Sequence, residues 1–208
     1  DLSKYQPAVN KNEPLSQQYN LQDKFVIGYI GTHGMAHALD KVLDAAERLK
    51  DETGIRFLFT GGGAERAQLE QQALRRGLNN VVMMPRQPKE MMPAVWSLCD
   101  ISLISLRDAE LFTKVIPSKI FESMGMGLPM VLACPEGEGT GIVIDSQAGV
   151  VVPPETPEIL AHCILDLYRD RSRLAQLANF SRTAAPNFDR KRQALLMLDS
   201  FSRAAIGG

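Results

Sequence analysis

The chain has 208 residues, 45% of them hydrophobic, enough for one sizeable core, since about 150 residues per domain is usual. Its 23 Lys and Arg nearly cancel its 24 Asp and Glu, so there is no net field to hold a polyphosphate backbone over a broad surface, and nucleic acid is disfavoured as a partner. No apolar run approaches the about 18 to 20 residues of a membrane-spanning helix. The isolated Cys99, Cys134 and Cys163 lack the paired spacing of a zinc site or disulfide framework, so a soluble chain of the reducing cytoplasm is expected.

Residues 1–23 are polar, carry Pro7 and Pro14 and keep no sustained period. They are expected to be a hinge behind a further domain, leaving 24–208 as the folded unit. From Phe25 the run FVIGYIG predicts a strand and LDKVLDAAERLK an amphipathic helix. The alternation repeats as IRFLFT and AERAQLEQQALRRG, VVMM and KEMMPAVWSLC, ISLISL and PSKIFESMGMG. PMVLA and GVVV are then separated by a helix near 141–147. Strands without polar alternation are buried on both faces, and intervening helices impose right-handed crossovers. The expected fold is therefore α/β: a doubly wound, Rossmann-like parallel sheet of about six strands. Three further helical stretches follow, beginning at PEILAHC, RSRLAQL and FDRKRQA.

In such a sheet ligands sit beyond the carboxyl ends of the strands. Three glycine clusters fall there: Gly28 with Gly31 to Gly34, Gly61 to Gly63, and Gly137 to Gly141. Each could be no more than a tight strand-to-helix turn, but three on one sheet edge favour a ligand whose oxygens approach backbone N–H groups. GYIGTHG breaks the G-x-G-x-x-G spacing of a dinucleotide fingerprint, and no G-x-x-x-x-G-K-[ST] loop is present.

The strongest local signal is VIPSKIFESMGMGLPMV. Pro117 suits the first turn of a helix, which leaves the N–H groups of Ser118, Lys119 and Ile120 facing outward at the positive end of the dipole as an anion seat. The Ser118 hydroxyl and Lys119 ammonium reinforce it. Glu122, about one turn further in, can accept two hydrogen bonds from a vicinal diol such as a ribose. Each also has a plainer reading, Glu122 as a solvated helix carboxylate and Lys119 as a surface cation. The methionines near Met83 and Met91 read as gap-filling core rather than a metal site, and His33, His37 and His162 as ordinary polar residues.

These residues resemble the C-terminal donor domain of glycosyltransferase family 4, the large retaining family with the two-domain GT-B architecture. The P-S-K-[IL]-F-E block with its trailing G-x-P resembles the subgroup that builds O-antigen, capsule and exopolysaccharide in bacteria. The resemblance implies that Glu122 is the second of the family's two signature glutamates, bound to ribose hydroxyls. The position of the first holds Lys114. Where the family carries an arginine and a lysine on the diphosphate, this chain has Thr32 and His37. Charge compensation then falls to Lys119, Lys114 and the helix N-terminus. VVMMPRQP resembles the base-binding loop, with Arg86 beside it.

The expected donor-binding set is thus Gly31, Thr32, Gly34, Gly62, Arg86, Pro117, Ser118, Lys119 and Glu122, with Lys119 and Lys114 stabilising the leaving group. The resemblance implies retaining transfer from a UDP-sugar to a lipid-linked glycan acceptor, without a metal or other cofactor. The acceptor site lies on another domain, the isolated half is inactive, and any membrane contact is peripheral, at the inner face of a bacterial inner membrane. The last helix could instead bury its apolar face in a homodimer. Two other readings stay open: a UDP-sugar 2-epimerase on the same architecture, and a non-enzymatic phosphate-sensing α/β module.

Overall fold

The six apolar runs form six strands: β1 Phe25–Ile30, β2 Ile55–Thr60, β3 Val81–Met84, β4 Ile101–Ser105, β5 Met130–Ala133 and β6 Gly149–Val152. They make one parallel sheet in the order β3-β2-β1-β4-β5-β6 in a computed structural model that describes residues 3–206. The helices are α1 Glu13–Gln18, α2 Leu39–Arg48, α3 Arg66–Arg75, α4 Met92–Trp96, α5 Lys119–Met126, α6 Glu138–Asp145, α7 Pro157–Arg169, α8 Arg171–Ala184 and α9 Arg190–Ile206. The architecture is the doubly wound α/β sheet expected from the alternating pattern.

Burial explains the apolar runs. Every residue of β1 and β4 is buried, as central strands covered on both faces must be. On one face α2 supplies Leu39, Val42, Leu43 and Ala46, which meet Leu160, Ile164 and Leu167 of α7. Each such fully buried Leu or Ile contributes about 1.5–3 kcal/mol through removal of apolar surface from water. On the other face Val95, Trp96 and Leu98 pack with Leu21 and Met126, and Ile120 and Met124 of α5 pack with Leu132 and Val143.

Three local departures from the sequence reading have physical causes. The stretch 1–23 contains α1, capped by Asn12, whose side chain accepts from the Leu15 amide at 3.1 Å, with Leu15 and Leu21 buried. Lys11 ties this stretch to the amino ends of the strands: its ammonium lies 2.6 Å from Asp100 Oδ2, the same oxygen that accepts from the Val26 amide at 2.8 Å. The helix expected over KEMMPAVWSLC is divided into a tight turn at Lys89–Met91 and α4, because Pro93 has no N–H for a continuous helix and sits in the first turn of the second piece. Helix α6 starts three residues earlier than expected, where Thr140 Oγ1 accepts from the Gly137 amide at 2.8 Å and caps it.

The sheet winds outward from β1 and β4 in both directions. The carboxyl ends of β1, β2 and β3 share one edge of the sheet, where their loops line a cleft. No helix of the described residues is long and apolar enough to cross a membrane.

Candidate functional site

The loops after β1 and β2 are zipped together by backbone hydrogen bonds. Gly31 N–H donates to the Thr60 carbonyl at 2.8 Å, His33 N–H to Gly62 at 2.9 Å, and Glu65 N–H back to His33 at 3.0 Å. The close approach requires glycine: Gly31 and Gly61 have φ of +149° and +143°, and a Cβ on Gly61 would overlap the Gly31 carbonyl oxygen. Arg66, the first residue of α3, donates to the carbonyls of Gly61 at 2.7 Å and Met84 at 2.8 Å and pairs with Glu70 at 2.6 Å. It therefore clamps the second glycine loop to the loop after β3. In the sequence, the only local signal for Arg66 is a cation opening a helix, where the dipole disfavours it.

Between these loops lies a cleft of about 570 Å³. Gly31, Thr32 and Gly62 form one wall and Arg86, Gln87 and Met92 the other. Four expected residues, Gly31, Thr32, Gly62 and Arg86, thus share one cavity. Gly34 stands at the far end of the β1 loop, outside these walls. Thr60, which the motifs did not single out, also lines the cleft. It is 1% exposed, and its hydroxyl has no partner among the described residues.

Lys119 of α5 is not one of the residues lining the cleft, but its side chain ends against Gly31, which is. A Cβ on Gly31 would overlap Lys119 Cε and stand 2.8 Å from Nζ, so the end of the Lys119 side chain occupies the space a side chain at Gly31 would take. It also lies 4.0 Å from the centre of the Tyr29 ring. Burial lowers its pKa to about 8, although Glu122 acts in the opposite sense. Glu122, one turn further along α5, accepts a hydrogen bond from the Trp96 indole N–H at 3.3 Å. Burial raises its carboxyl above the ordinary range, with the Trp96 bond and the Lys119 charge partly offsetting that shift.

The start of α5 differs in detail from expectation. The helix begins at Lys119 with Ser118 as its cap residue, and Pro117 precedes it. The Ile120 amide already donates to the Pro117 carbonyl at 3.1 Å, because the entry turn is tight and closes on the third residue. Ile120 is therefore not one of the open donors; those are the Ser118 and Lys119 amides, for which no acceptor occurs among the described residues. Lys114 is exposed at the end of the short turn Glu110–Lys114, apart from the cleft walls. Phe112 of that turn packs toward the core, and the Thr113 carbonyl lies against Gly137, which directs Lys114 outward.

His33 has no exposed surface. Neither ring nitrogen has a partner among the described residues, and the ring lies beside Tyr29 and Phe59. Burial, then the charges of Arg66 and Lys119, lower its pKa to about 4. His37 places Nδ1 3.3 Å from the Ser105 carbonyl, and burial lowers its pKa too. Thr32 and His37 thus bring no resident positive charge to this loop: one is neutral, and burial favours the neutral form of the other.

Residues 24–170 match the family described as "Glycosyl transferases group 1". The putative colanic acid biosynthesis glycosyl transferase WcaI of Escherichia coli K12 is 30% identical over 164 residues, covering 77% of this chain and 40% of WcaI. The chain spans less than half the length of the curated relatives it matches. Among solved structures, Anabaena Alr3699/HepE in complex with UDP and glucose is similar with a TM-score of 0.82 at 22% identity, over 97% of this chain and 54% of that one. The C-terminal domain of the Francisella tularensis group 1 family protein LpcC is similar with a TM-score of 0.73 at 18% identity, over 90% of this chain and 97% of that one.

Proposed function

The chain belongs to the glycosyl transferases group 1 family, and on that premise we propose that it is the donor-binding half of a two-domain glycosyltransferase that takes a UDP-sugar. The observation that carries this reading is the convergence of Lys119 on Gly31 at the edge of a cleft bounded by two glycine loops. A departing pyrophosphate needs positive charge that is desolvated and already in position. Lys119 and the amides opening α5 supply it. Glu122 accepts from the ribose hydroxyls, and the backbone around Met84 to Arg86 meets the base. Pro117 and Ser118 shape the amide end of this seat. The chemistry needs no metal when an ammonium and helix dipole carry the charge.

The bound UDP in the HepE structure supports uridine diphosphate as the nucleotide, and the WcaI resemblance supports a role in surface polysaccharide assembly. Transfer would proceed with retention onto a lipid-linked glycan held by a second domain. Such a protein works in the cytoplasm, with at most peripheral membrane contact. Exposed Leu195, Met197 and Phe201 of α9 suit burial against that second domain or a second copy. Titration calorimetry tests the reading. The chain should bind UDP with measurable heat, and Lys119→Ala should weaken binding by about tenfold or more, as for a lost charge-assisted contact. A flat trace for the unaltered chain would overturn the assignment.

A further inference from the structure

We propose that Tyr29 is a positioning residue for donor binding, holding Lys119 and the first glycine loop in register so that both address one diphosphate. The inference rests on the donor-binding reading and deepens it. Two contacts of one side chain carry it. The ring face receives the Lys119 ammonium at 4.0 Å, and the phenol hydroxyl donates to the Thr32 carbonyl at 2.7 Å. Tyr29 itself is 1% exposed at the next-to-last position of the central strand β1, packed on Phe59 and flanked by His33 and His37. Its ring is therefore a fixed object against which a flexible four-carbon side chain can be set.

The chemistry of the seat matters. A cation bound to a phosphate must be oriented without being neutralised beforehand. A carboxylate partner would orient Lys119 but compete for its charge, and no ion pair to Lys119 occurs among the described residues. An aromatic face attracts an ammonium through its quadrupole and carries no net charge. The positive charge then stays available to a ligand arriving at Gly31. Meanwhile the hydroxyl fixes the Thr32 peptide, next to Gly31, where the end of the Lys119 side chain takes the space a Cβ would occupy. One residue thus joins the two elements that the reading assigns to the diphosphate, one from β1 and one from α5.

Two variants separate the contacts. Tyr29→Phe keeps the ring and removes the hydroxyl; Tyr29→Leu removes both. Proton NMR of the ligand-free chain reads the seat directly, because a ring at this distance moves the Lys119 ε-methylene signal upfield. That displacement should persist in Tyr29→Phe and vanish in Tyr29→Leu; its absence from the unaltered chain overturns the proposal whether or not UDP binds. Calorimetry with UDP reads the consequence. Tyr29→Leu should bind about five- to twentyfold more weakly, and Tyr29→Phe should recover most of the loss that comes through the cation contact. In a Lys119→Ala background the Tyr29→Leu effect should largely disappear, since the two side chains would act through one interaction. Equal losses in both backgrounds would make Tyr29 a structural residue and overturn its positioning role while leaving the donor reading intact.

Discussion

Trp96 donates its indole N–H to Oε2 of Glu122 across 3.3 Å, joining α4, which carries the Met92 wall of the cleft, to the carboxylate proposed to hold ribose. The bond uses one oxygen and leaves the rest of the carboxylate's accepting capacity to a ligand. Glu122→Gln replaces one acceptor oxygen with a donor. UDP should then bind about ten- to a hundredfold more weakly, the range for hydrogen bonds to a charged group. The variant should also lose the preference for UDP over 2′-deoxy-UDP. Equal discrimination by the variant and the unaltered chain would show that Glu122 does not read the sugar.

Gly61 and Gly62 are adjacent and should respond oppositely to alanine. At Gly61 the φ of +143° and the overlap with the Gly31 carbonyl oxygen predict a loss of about 2–4 kcal/mol for Gly61→Ala. At Gly62 a Cβ meets nothing within 4 Å, so Gly62→Ala should change stability by less than about 1 kcal/mol. Urea unfolding of the two variants measures the difference, and equal losses would contradict the loop geometry.

His33 predicts acid sensitivity. Its folded pKa of about 4 lies below the ordinary 6.5, so the unfolded chain binds more protons between those values. The stability that comes from the neutral ring is complete above about pH 6.5 and is lost as pH falls toward 4, at up to about 1.4 kcal/mol per pH unit. His33→Phe keeps an aromatic ring beside Tyr29 and Phe59 and should flatten the curve between pH 7 and 5. Unfolding free energies that run parallel for the two proteins would refute the assignment.

Lys119 predicts a second pH dependence, in binding. Its pKa of about 8 means that the free site loses its ammonium as pH rises through that value, and UDP affinity should fall accordingly. A diphosphate favours the charged form, so binding near pH 8 should take up protons. The measured heat should then vary with the ionisation enthalpy of the buffer. Lys119→Gln should lack this uptake; uptake that survives the substitution belongs to another group.

Thr60 offers a buried hydroxyl in the cleft wall that has no partner among the described residues. Thr60→Val preserves shape and removes that hydroxyl. The ligand-free chain should be as stable as before or slightly more so, and UDP should bind about three- to tenfold more weakly, the value of one ordinary hydrogen bond. Unchanged affinity would mean that the hydroxyl does not meet the nucleotide.

Much of this molecule is local in origin and so legible in the chain. Continuous apolar runs such as FVIGYI could be stable only as central strands. The spacing of Leu39, Val42, Leu43 and Ala46 could be satisfied only by a helix lying on them. The loops holding Gly31, Gly62, Arg86 and Lys119 were identifiable because β-to-α turns of such a sheet share one edge.

What remained illegible depends on contacts between residues distant in sequence. Nothing near Tyr29 indicates that an ammonium ninety residues later, at Lys119, rests on its ring. Nothing in the first turn of α3 indicates that Arg66 reaches two carbonyls on separate loops. Lys114 and Lys119 are both lysines of one segment, yet the turn at Glu110–Lys114 leaves the first in solvent, while the helix after it carries the second onto Gly31. The amino-acid order alone determined which segments are strands and helices and which loops meet, because periodicity and steric preference act over a few residues. Tertiary packing decided which side chains enter the cleft and in what protonation state, because burial and Coulomb interactions depend on neighbours that only the folded chain brings together.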